Sequence, residues 1–62
     1  MAHSADYQFN LYIKELELVA QTLTDQASRL KESGHDTLAE AASKQADQLI
    51  EVIAELQHLM EI

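Results

Sequence analysis

The 62-residue chain has no cysteine, no proline, no tryptophan and a single glycine, Gly34. Without cysteine there is neither a disulfide framework nor a thiolate metal site, a composition compatible with a reducing, cytoplasmic compartment. Without proline, and with no glycine before residue 34, nothing interrupts the backbone of the first half. One glycine cannot build a phosphate-binding loop. Basic residues are also scarce: four Lys and Arg stand against eleven Asp and Glu, for a net charge of -7. That balance opposes a phosphate backbone and disfavours nucleic acid as a partner. No run approaches the roughly 18 apolar residues of a membrane span, and Met1–Ser4 lacks the basic and apolar regions of a signal peptide, so no membrane association is expected.

What remains is apolar content in quantity. At 47% hydrophobic the chain lies outside the composition of disorder and should fold as one domain, residues 1–62. A chain this short buries a small fraction of its surface, and with disulfides excluded, oligomerisation is the remaining support.

The local signals predict two helices. Ser4 suits an N-cap, with Asp6 near the positive end of a helix dipole, and helix 1 is expected over about residues 5–33. Arg29 and Lys31 suit its negative end, and Gly34 can take the left-handed conformation that closes it. After a turn at 34–36, Thr37-Leu38-Ala39-Glu40 has the spacing of a capping box, with Asp36 as a competing N-cap, and helix 2 should run over about 37–61. Each helix is then roughly 40 Å long at 1.5 Å per residue, and so short a connection sets them antiparallel. The fold class is all-α, an antiparallel two-helix hairpin.

Steps of four and three define its seam. Helix 1 supplies Phe9, Ile13, Leu16, Ala20, Leu23, Ala27 and Leu30; helix 2 supplies Ala39, Ala42, Ala46, Leu49, Ile53, Leu56 and Met60. Closed near residue 34, these pair from Leu30 with Ala39 to Phe9 with Met60, in the constant register of an antiparallel pair. Alanines near the turn allow close approach, and the bulkier open end should be thicker. Tyr12 and Val19 on helix 1, with Leu38, Val52 and Leu59 on helix 2, widen the stripe beyond what two helices cover. A second copy is the economical cover, giving a homodimeric four-helix bundle. An antiparallel dimer would set the slim, alanine-rich half of one protomer against the bulky half of the other. Gln26 and Gln45 flank the seam and could fix register through hydrogen bonds.

The length, the alternating Ala and Leu layers and the expected dimer resemble in architecture the repressor-of-primer family of plasmid copy-number regulators. The resemblance implies a Rop-like antiparallel four-helix bundle and, for that family, binding to paired RNA hairpins. It covers the hairpin layout and no motif. The basic, aromatic surface that RNA would need is missing from the pattern, which makes an RNA-binding dimer the least favoured reading.

Catalysis is not expected. Glu55-Leu56-Gln57-His58 has the E-x-x-H spacing of di-iron bundles, but the seam that buries Ile53, Leu56 and Met60 turns Glu55 and His58 outward, so a metal site would need another register. His3 and His35 lack a second ligand at helical spacing, and the serines and threonines lack a positioned base. No cofactor is expected, and a filled interior offers no substrate pocket.

Two outer features carry alternatives. Tyr7, Leu11 and Leu18 form a stripe on the far side of helix 1; they are either singly exposed apolar residues or a second contact surface for a higher oligomer or another protein. Asp47, Glu51 and Glu55 form an acidic row that serves either solubility or a basic partner surface. The expected function is a small, self-associating, non-enzymatic protein-interaction or assembly module. The alternative is an acidic regulator or inhibitor of a basic, nucleic-acid-handling protein.

Overall fold

A computed structural model describes the backbone of residues 2–61 and the side chains of residues 6–60. The side chains of His3, Ser4 and Glu61 lie outside the described residues. Two helices, α1 (Ala2–Glu32) and α2 (Asp36–Glu61), pack against each other along a hairpin whose Cα trace measures 50 × 17 × 9 Å. The 9 Å dimension is the thickness of a single helical layer.

Gly34 ends α1 as the sequence predicts, at φ 86°. Around it the backbone forms a Schellman motif: the His35 N–H donates to the Leu30 carbonyl at 2.8 Å, and the Gly34 N–H donates to the Lys31 carbonyl at 3.1 Å. The Ser33 N–H and hydroxyl both donate to the Arg29 carbonyl, at 3.1 and 3.0 Å. The carbonyls of Arg29, Leu30 and Lys31, three of the last four of α1, are thereby satisfied before the chain turns.

Both predicted helix starts move. α1 already includes Ser4, so Ser4 is not its N-cap and Asp6 falls past the first turn. α2 starts at Asp36, because the Schellman turn leaves the His35 carbonyl pointing along the new axis, where it accepts the Ala39 N–H at 2.9 Å. Asp36 and Thr37 therefore occupy the first two helical positions, and the Thr37–Glu40 capping box does not form. Asp36 still places its charge at the positive helix end.

An alanine at residue 34 would meet no atom within 4 Å, so substitution there acts on the backbone alone. Gly34→Ala is expected to cost about 1–2 kcal/mol, the left-handed penalty of a β-carbon. Gly34→Asn should cost less, since asparagine tolerates this region. Urea denaturation of the two variants checks the order.

The core is the seam. Ile13, Ala20 and Ala27 of α1 are buried, as are Ala39, Ala46 and Ile53 of α2, with Ala46 the most enclosed at 2% exposure. Phe9, Leu16, Leu23, Leu30, Ala42, Leu49 and Leu56 are half-buried, and no other described side chain is buried or half-buried. Met60 departs from the pattern at 49% exposure.

Candidate functional site

The hairpin has two unlike faces, and helix geometry explains which residues reach each. A residue three positions after a buried one turns 60° to one side of the seam, and a residue four positions after turns 40° to the other. α2 runs opposite to α1 and also faces it, so the two reversals cancel. Equivalent steps on the two helices reach the same face of the hairpin.

The three-step set is Leu16, Leu23, Leu30, Ala42, Leu49 and Leu56, all half-buried because a single neighbouring helix covers only one flank of each. Beyond them on the same side stand Tyr12 and Val19 on α1 and Leu38, Val52 and Leu59 on α2, all exposed. Together they form an open apolar face along the hairpin. Gln26 and Gln45 also border this face; both are exposed, and neither takes part in the side-chain hydrogen bonds of the described residues. The bonds that form run from the Thr22 and Thr24 hydroxyls to the Leu18 and Ala20 carbonyls, at 2.9 and 3.0 Å, and from Ser33 to the end of α1.

The four-step set is Glu17, Thr24, Lys31, Ser43, Ile50 and Gln57. These side chains line two shallow grooves on the opposite face, one at the turn end and one toward the open end. Five of the six are polar or charged, and Lys31 shares its groove with Asp36, Glu40, Lys44 and Asp47. Ile50, at 52% exposure, is the apolar exception. Sequence reasoning passed over Ile50 and over this polar groove, although the four-step spacing from Ala46 to Ile50 was there to be read.

The fold also places the two outer features. Tyr7, Leu11 and Leu18 are exposed on the flank of α1 away from α2. Asp47, Glu51 and Glu55 are exposed at four-residue spacing on the outer flank of α2, with His58 one turn beyond Glu55 and also exposed. The fold thus leaves Glu55 and His58 outside the seam, as the heptad frame predicts, and His35 is exposed in the turn. Among the described residues, no group of three or more His, Asp and Glu side chains converges as a metal site. No helix of the described residues is long and apolar enough to cross a membrane.

The accessible area quantifies what is uncovered. A compact monomer of 7.0 kDa would expose about 4,000 Å² by the scaling of folded proteins, whereas this hairpin exposes 5184 Å². The excess is the signature of a single helical layer, and the apolar face is the part of it that is unfavourable in water. Compared with protein-family models, curated proteins and solved structures, the chain matches none.

Proposed function

We propose that this hairpin is a self-assembling, non-enzymatic protein-interaction module, in which a second copy covers the apolar face and completes an antiparallel four-helix bundle. The observation that carries this reading is the sidedness of the hairpin: leucine and valine on one face, polar groups on the other. Two such faces packed together bury the half-covered leucines of both copies along with Tyr12, Val19, Val52 and Leu59, and give a core two layers thick.

Charge selects the antiparallel arrangement. Residues 25–44, around the turn, hold three basic and four acidic side chains; the remaining residues, toward the open end, hold one basic and seven acidic. Turn against turn would superpose the two strongly acidic halves, whereas turn against open end separates them. Sedimentation equilibrium at low and moderate salt tests the reading. A species of about 14 kDa, twice the 7.0 kDa chain, is expected to persist to low concentration. A folded 7 kDa monomer at every concentration would overturn it.

The acidic regulator remains the second reading, favoured by the exposed row Asp47, Glu51 and Glu55. α2 as a whole carries six acidic residues against one basic. Under that reading, binding to a basic protein partner weakens steeply with added salt and with Glu51→Lys combined with Glu55→Lys. Insensitivity to both removes it.

A further inference from the structure

The bundle proposed above leaves Tyr7, Leu11 and Leu18 uncovered, at 65%, 45% and 63% exposure, because they stand on the flank of α1 rather than on the apolar face. Symmetry decides where the second set of these residues goes. Two hairpins packed face to face with their turns at opposite ends are related by a two-fold axis that runs across the layer, from α1 toward α2. That rotation sets α1 on the partner's α1 and α2 on the partner's α2. Both copies of the Tyr7, Leu11 and Leu18 stripe therefore fall on one side of the bundle, each running from Tyr7 near one end to Leu18 near the middle. Both copies of the Asp47, Glu51 and Glu55 row fall on the other.

The two sides differ in charge as well as in polarity. Beside the stripe on the outer flank of α1 stand Lys14 and Glu15, one of each sign, with Asp25, Arg29 and Glu32 farther along, two basic and three acidic in all. The outer flank of α2 is dominated by carboxylates. A chain carrying -7 repels its own copies in general, yet the α1 side alone combines apolar residues with locally balanced charge. We propose that this side is a contact surface for a second bundle, so that two dimers stack through their α1 pairs into a tetramer with Tyr7, Leu11 and Leu18 at the contact. The tetramer rests on the bundle reading and adds to it a second, weaker interface. Screening of the net charge strengthens that interface as salt is raised.

Sedimentation equilibrium of the intact chain, carried to about 1 mM, the weak end of specific association, tests this together with the double variant Leu11→Gln/Leu18→Gln. The wild type is expected to pass from about 14 kDa to about 28 kDa, four times the 7.0 kDa chain, with rising concentration, and more readily at higher salt. The double variant is expected to stop at the dimer with unchanged helicity. A wild type that stays a dimer throughout overturns the tetramer and leaves the bundle standing, and the stripe would then be free for a different protein. A wild type that stays monomeric overturns the bundle itself. A double variant that still forms the tetramer overturns the assignment of the contact to α1.

Discussion

Substitution of Val19 and Val52 by glutamate is expected to convert the proposed dimer to a monomer of 7.0 kDa, raising the dissociation constant by at least about 1,000-fold, which corresponds to about 4 kcal/mol. Both valines are exposed in the hairpin and sit on its apolar face, so neither change disturbs the seam directly. In the proposed dimer they would lose their water. Each buried valine contributes about 1.5 kcal/mol or more, the two-fold axis doubles every substitution, and each glutamate must in addition surrender its hydration or keep the faces apart. Sedimentation equilibrium reads the effect. A double change to lysine at Glu17 and Gln57 lies in the groove toward the open end and should leave the mass untouched. If the valine variant remained dimeric, the copies would have to meet through some other face.

The second large effect separates two isoleucines on successive turns of the same helix. Ile53→Ala is expected to cost about 2–5 kcal/mol, the range for emptying a buried aliphatic position. Ile50→Ala should cost a few tenths to about 1 kcal/mol, since Ile50 is 52% exposed and Ile53 only 6%. For a domain of this size each kcal/mol moves the midpoint of thermal unfolding by about 4–8 °C, so Ile53→Ala shifts it by roughly 10 °C or more. Thermal unfolding followed by circular dichroism, at a fixed protein concentration because the proposed dimer would couple unfolding to association, distinguishes the two. Equal losses would mean that the polar groove is not the solvent-facing side of the seam.

These effects trace to a seam that was legible in the residues, for an identifiable reason. Side-chain spacing along a helix is set by backbone geometry, and the four-three alternation from Phe9 to Leu30 and from Ala39 to Leu56 marks the buried line on each helix without reference to the other. Met60 continues the same spacing and yet is exposed. The helix starts escaped that logic too. Ser4 and Thr37 are sound N-cap residues by type, but the Schellman turn around Gly34 aligned the His35 carbonyl with the second helix and took the position that Thr37 would have held.

The amino-acid sequence by itself determined that this chain makes two helices, that they part at Gly34, and which line of residues they bury, since each of these depends on neighbours a few residues away. Tertiary structure decided that the half-buried leucines of both helices share one face while Glu17, Thr24, Ser43, Ile50 and Gln57 share the other. A single helix has a stripe but no sides. Sides exist only once a second helix, running the opposite way, lies against it and turns a width of apolar surface into a direction.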